Sequence, residues 1–281
     1  MKKLTGIILS LTLTVSLLFP MHASAATNST PANAPYDYSL VFDWEYYYNN
    51  YADLQQTIGK NEAALFEHFV TTGMKEGRNG SADFQLKAYM LNNLDLLPVY
   101  GAKDLSAYYI HYMTCGKSEG RVAIFNNGMT FPANSLAGFT TVYNTQEARA
   151  INVELAAAKI NGMIIEPGQT FSFSDSVESR TLENGYVEAP SFASGKVVTS
   201  VGGGICQVSS TLYVTMLLSG IPATQHYFHS LPVTYVPTGL DAAIAEGTKD
   251  LRFVNPYSYP IVIEAVTNNG ILTVNLKQAP L

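Results

Sequence analysis

The chain has 281 residues, 47% hydrophobic and 14% charged, with 22 acidic against 16 basic side chains. That is enough chain for one or two globular domains, and its acidic balance excludes nucleic acid as a partner and electrostatic docking on anionic lipid. Two cysteines, Cys115 and Cys206, allow one disulfide at most.

The chain opens on Met1-Lys2-Lys3, an apolar run of 16 residues from Leu4 to Phe19, Pro20, and then Ala23-Ser24-Ala25. A basic start, an apolar core and a small-x-small site predict a secretory signal over residues 1–25, cut after Ala25. An uncleaved anchor is the alternative, but the run is short for a membrane span and Pro20 interrupts its end. Cleavage leaves 14 basic and 22 acidic residues, a net charge of −8 on a protein outside the cytoplasm with no stable membrane insertion. Residues 26–40, small, polar and Pro-containing, predict a flexible leader.

Residues 41–125 hold an internal repeat. Phe42-Asp43-Trp44-Glu45-Tyr46-Tyr47 is answered by Phe84-Gln85-Leu86-Lys87-Ala88-Tyr89, 42 residues on. His68 to Arg78 is answered by His111 to Arg121, 43 residues on. Each copy predicts a helix, a variable connector and a second helix closed by glycine, two units stacking into a small helical module. Eleven of the 18 tyrosines lie between Tyr36 and Tyr112, a density that suits packing between helices better than a sugar-stacking surface. His68 and His111 recur with the repeat and read as packing or capping residues. Thr72 stands in copy one where Cys115 stands in copy two, so nothing local calls for a bridge from Cys115 to Cys206. The pattern resembles short repeats, Phe-Asp-x-x-Tyr-Tyr followed by His-Tyr-x-x-x-Gly-x-x-Glu-Gly-Arg, of many bacterial surface proteins.

Asn126-Asn127-Gly128 marks a boundary, and residues 126–281 form the second domain. Asn144 with Glu147 predicts a helix start, Ala148, Ile151, Leu155 and Ala158 its buried face, and Gly162 its end. Thr170 to Phe173 alternates as a strand. After a polar connection come Gly202-Gly203-Gly204 and a helix on Ile205, Val208, Leu212 and Met216, stopped by Gly220 and Pro222. Strands follow over 231–236, 250–254, 260–266 and 271–276, the last two joined at Asn268-Asn269-Gly270. Helices first and strands afterwards predict α+β, a small helical repeat module followed by an α+β domain whose Cys206 helix packs on an antiparallel sheet.

Cys206 falls in the first turn of that helix, where free N–H groups and the macrodipole favour a thiolate, the setting of a nucleophile. A thiolate enzyme needs a base, a group to orient it, and oxyanion donors. His226 and His229 are the only histidines of the second domain, and Asp175, Asp241 and Asp250 its only aspartates. Asp241 follows the histidine segment closely, with Asp250 the runner-up. The backbone from Gly204 to Cys206, and the Gln207 side chain, are candidate oxyanion donors. Zinc fits poorly, because one cysteine and two histidines three apart lack paired short spacings. Ser209 and Ser210 lack a Gly-x-Ser-x-Gly elbow.

Two long stretches carry a family resemblance. Asn152 to Gly162, running on through Pro167 to Phe173, resembles the start of the VanW domain. Gly202 to Tyr213 and His229 to Ala242 resemble its most specific part, with Arg180-Thr181 and Gly185-Tyr186 also in register. The resemblance covers about residues 146–263. It implies an exported or membrane-anchored bacterial protein of the cell wall, and for some members an L,D-transpeptidase of peptidoglycan working through the Gly-Gly-Gly-Ile-Cys-Gln cysteine. On this implication Cys206 is the nucleophile, His229 the base, and Arg180 and Ser230 contact the substrate, with no cofactor. Gln225-His226-Tyr227-Phe228 departs from a common Glu-Arg-His-x pattern, which weakens His226 against His229. The implied reaction joins two stem peptides through a Cys206 thioester, shielded by the connection over 181–201. A thiol peptidase or carboxypeptidase on the same stems, and a non-catalytic wall-binding protein, are the alternatives.

Overall fold

Side-chain caps and left-handed glycines set the limits of the helices in the N-terminal half. The computed structural model describes residues 35–125, 134–193 and 195–280. The expected signal, most of the leader and the boundary at Asn126–Gly128 lie outside the described residues. Among the described residues of this half, seven short α-helices follow a 3-10 turn at Tyr38–Leu40: α1 (Trp44–Asn50), α2 (Ala52–Thr57), α3 (Glu62–His68), α4 (Met74–Glu76), α5 (Leu86–Asn92), α6 (Leu97–Tyr100) and α7 (Ser106–His111). Asp43 and Asn61 cap α1 and α3 by accepting from Tyr46 and Ala64 N–H.

The paired stretches adopt the same local structure. Both α3 and α7 run on into a π-turn, Phe69–Gly73 and Tyr112–Gly116. The Tyr47 hydroxyl shares a 3.0 Å hydrogen bond with His68 Nδ1, and the Tyr89 hydroxyl a 2.6 Å one with His111 Nδ1. A Cβ on Gly73 or Gly116 would sit 2.2 or 2.1 Å from the same tyrosine oxygen, which explains glycine at both places. Arg78 pairs with Asp53 and Glu76, and Arg121 with Asp95 and Glu119. Tyr47, Tyr89, Tyr108 and Tyr109 are fully buried, so the tyrosines serve packing.

The second half mixes helices and antiparallel sheets. A four-stranded sheet in the order β1-β9-β8-β2 joins β1 (Ser135–Val142), β2 (Ile164–Ile165), β8 (Ile261–Asn268) and β9 (Ile271–Gln278). A three-stranded sheet, β3-β7-β6, joins β3 (Thr170–Ser172), β6 (Ala223–Gln225) and β7 (Arg252–Val254). Strands β4 (Glu188–Ala193) and β5 (Lys196–Val201) pair only with each other. Three helices complete it, α8 (Arg149–Ile160), α9 (Phe173–Val177) and α10 (Ile205–Leu218). Burial alternates along β8 and β9, whose inner faces pack under α8 and α10. Asn269 and Gly270, both with positive φ, close the β8–β9 hairpin as its two-residue turn.

The second half opens with β1, which supplies the sheet edge beside β9. Three expectations are corrected. Helix α8 starts at Arg149 and buries Val153, Ala156, Ala157 and Ile160, while Ile151 is exposed. That stripe faces the sheet, whereas Asn144 turns the chain through Gln146 N–H four residues too early to cap α8. Phe173 opens α9 instead of ending a strand, since Ser172 caps that turn at Asp175 N–H. No strand forms over 231–236. Pro232 removes a ladder donor there, and Val233, Tyr235 and Val236 pack against the helical half instead.

Helix α10 is buried on all sides. Ile205, Val208, Leu212 and Met216 join the core under α8 and the sheet. Val214, Leu217 and Leu218 join the core of the tyrosine-rich helices, with Ala137, Val236 and Leu240. Among the described residues no helix is long and apolar enough to cross a membrane.

Candidate active site

The start of α10 is fixed from below by side chains that bind backbone. Gly202 and Gly204 take φ of 85° and 112°. A Cβ on Gly203 would lie 2.4 Å from the carbonyl oxygen of Ala189, so the loop presses against β4 as only glycine allows. Asn152, fully buried on α8, donates to the carbonyls of Val187 and Gly203 and accepts from Val187 N–H. Ile205 N–H donates to Gly202 O and Gln207 N–H to Gly204 O. The N–H groups of Gly204 and Cys206 have no acceptor among the described residues, and they stand at the positive end of a 14-residue helix.

Cys206 is half-buried, and both cysteines are free thiols. Its Sγ accepts from Ile244 N–H at 3.4 Å. Burial pushes the thiol up, and Ile244 N–H, Arg180 and Lys249 pull it back only in part. Burial thus works against the thiolate that the helix end favours.

A candidate base lines the same cleft as Cys206. His229 Nδ1 lies 2.7 Å from Asp241 Oδ2, which also accepts from His229 N–H at 2.7 Å. A carboxylate only accepts, so Nδ1 carries the proton and Nε2 is the basic nitrogen. His226 Nε2 faces the Asp241 carbonyl oxygen at 2.7 Å, and its ring stacks on Tyr213 at 4.0 Å between centroids. Burial holds the His226 imidazole below its ordinary value, with the Asp241 carbonyl and charge opposing in part. It props the Asp241 backbone, as a positioning residue. Of the two candidate acids, Asp241 meets the histidine. Asp250 binds Ser172, Ser174 N–H, Leu251 N–H and Arg252 instead, and Asp175 lies by Arg252.

The segment carrying Asp241 is tied to the Cys206 helix by Ser209 and Ser210, weighed above only as nucleophiles. Ser209 Oγ donates to Ala242 O at 2.7 Å. Ser210 Oγ donates to Cys206 O at 2.6 Å and accepts from Ala242 N–H at 2.8 Å. Burial raises the Tyr235 hydroxyl, and its hydrogen bond with Ser210 offsets this in part.

Cys206 and His229 open on one cleft of about 740 Å³, with Gly202 to Gly204, Arg180, Ser230 and Tyr235 in its walls. Arg149, Arg180 and Lys249 line it against a single acid, Glu246. The Arg180 side chain is 9% exposed, yet its contacts are long: 3.7 Å to Glu246 and 3.3 Å to Ser174 Oγ. A buried guanidinium so loosely paired is ready to take a carboxylate. Ser230 is exposed at the mouth. Gln207 is corrected: fully buried, it turns to β1, donating to Thr141 Oγ1 and Val142 O, because this side of the first turn of α10 faces the sheet. Arg149, Lys249 and Tyr235 were missed, since their meeting depends on three distant segments. One cluster of metal-ligating types, His111, Cys115 and Glu119, lies in the helical half, where Tyr89 and Arg121 engage its histidine and its acid.

Comparisons agree with the resemblance. Residues 148–277 match the family model described as VanW like protein. The chain is 39% identical over 142 residues to the uncharacterized protein YoaR of Bacillus subtilis (strain 168), covering 50% of this chain and 47% of YoaR. It is 35% identical over 127 residues to the vancomycin B-type resistance protein VanW of Enterococcus faecalis (strain ATCC 700802 / V583), covering 43% of this chain and 46% of that protein. The chain thus spans just under half the length of these relatives. No solved structure matches it.

Proposed function

We propose that this VanW-like chain is an exported, cell-wall-associated L,D-transpeptidase that joins peptidoglycan stem peptides through a Cys206 thioester. The observation that carries the reading is a cysteine and a His–Asp pair opening on one cation-lined cleft of an acidic protein. A relative named for vancomycin resistance supports a substrate in the cell wall.

Arg180, with Arg149 and Lys249 nearby, holds the terminal carboxylate of a donor stem. His229 Nε2 takes the Cys206 proton as the sulfur attacks the carbonyl before the terminal D-residue. Gly204 and Cys206 N–H groups receive the oxyanion. The C–N bond breaks, His229 returns the proton to the leaving amine, and a thioester remains. An amine of a second stem then attacks the same carbon, and the sulfur departs with the proton His229 collects. Asp241 holds the imidazole in the required tautomer.

The open mouth at Ser230 favours a second reading, hydrolysis of the same thioester by water. Incubation of the protein with a disaccharide-tetrapeptide, read by mass, distinguishes them: cross-linked dimer with loss of a D-residue for the transferase, trimmed monomer alone for the peptidase. Cys206→Ala is expected to abolish either product. An unprocessed substrate that nevertheless binds equally well to wild type and Cys206→Ala would leave a wall-binding protein.

A further inference from the structure

The hairpin β4–β5 stands apart from the sheets, and its two strands pair only with each other. Pro190, Ser191, Val198 and Ser200 on it line the cleft. At its far end Phe192 pairs across the ladder with Val197, and both are exposed, 40% and 66%. Neither joins a core cluster of the described residues. Phe192 nevertheless has a defined neighbour: its ring meets the His229 imidazole edge to face, 6.0 Å between centroids at 89°. The His229 side chain is left only 8% exposed beside an open cleft.

We infer that Phe192, with Val197 beside it, is the apolar lip that keeps water from His229 and admits an amine carried on an aliphatic arm, so that acyl transfer prevails over hydrolysis. The inference rests on the proposed function and names the acceptor class of that site. In the second half-reaction the acceptor nitrogen forms a bond to the thioester carbon while the carbon–sulfur bond breaks. His229 Nε2 removes the proton from nitrogen and delivers it to sulfur. Water can do the same through oxygen, and the chemistry at His229 is identical. Discrimination therefore depends on who reaches the imidazole. The methylenes of a diamino acid side chain gain by covering Phe192 and Val197, and water gains nothing there. Phe192 acts through His229 and is a positioning residue.

The experiment is the product partition of Phe192→Ala and Phe192→Leu on disaccharide-tetrapeptide, dimer against trimmed monomer per D-residue released, so that any change in acylation cancels. Phe192→Ala is expected to lower the dimer-to-monomer ratio about tenfold, a barrier change of one decade in rate. Phe192→Leu, still apolar, is expected to stay near wild type. A ratio unchanged in Phe192→Ala, or lowered equally in both variants, overturns the inference and leaves the transferase reading standing. Wild type that releases D-residue and yields trimmed monomer alone overturns the inference and favours the peptidase. No release by wild type overturns the proposed function and this inference with it.

Discussion

At the scale of single residues, Cys206 is governed by two opposing terms. The helix end favours a thiolate, and burial opposes it. Burial prevails, with Ile244 N–H, Arg180 and Lys249 as partial offsets. On the proposed mechanism the sulfur draws on His229 for activation, as a serine would. In a Cys115→Ser background, the rate of alkylation by iodoacetamide is expected to rise with pH through a midpoint above the ordinary thiol value of about 8.5. Arg180→Gln, which removes a cation that favours the thiolate, is expected to move the midpoint higher still. A midpoint below the ordinary value would return the sulfur to the thiolate state. Cys206, His229 and Asp241 were legible as candidates because so few residues of their kinds exist in this half of the chain. The surroundings of the sulfur were not, since its Ile244 N–H partner comes from 38 residues downstream.

At the scale of elements, periodicity identified α10, and glycine with proline marked its stop. It failed for residues 231–236, whose apolar alternation is real but whose contacts are with helices. It also failed for the face of α8, where alanines as small as Ala156 and Ala157 let the helix approach the sheet. The hairpin β4–β5 was hidden in a stretch read as a polar connection. Backbone proximity was equally silent: three glycines announce a tight turn, but not that Gly203 abuts the carbonyl oxygens of Ala189 and Pro190 at 2.4 and 2.6 Å. Gly203→Ala must displace β4 and is expected to lose about 2 kcal/mol of stability, measured by urea unfolding. A variant as stable as wild type would show that β4 yields freely.

At the scale of the whole molecule, two hydrophobic cores share α10, so the helical half and the sheet half are coupled through the element that carries the sulfur. The repeats suggested a module boundary near residue 126, but this sharing was not legible, because Val214, Leu217 and Leu218 lie outside the stripe of Ile205, Val208, Leu212 and Met216 that marked the helix. The full chain is expected to unfold in one transition in urea, and a piece starting at Asn134 to unfold at lower urea. Each uncovered Leu or Val forfeits about 2 kcal/mol of burial. Two separate transitions, one matching the isolated piece, would show the halves to be independent.

The solitary ladder of β4 and β5 has a consequence for how such a scaffold diversifies. Phe192 and Val197, near its tip, belong to neither core of the described residues, so exchanging them costs the fold little. If Phe192 acts as proposed, substrate range and thermodynamic robustness are inherited on separate parts of the polypeptide, and one can drift while the other is preserved.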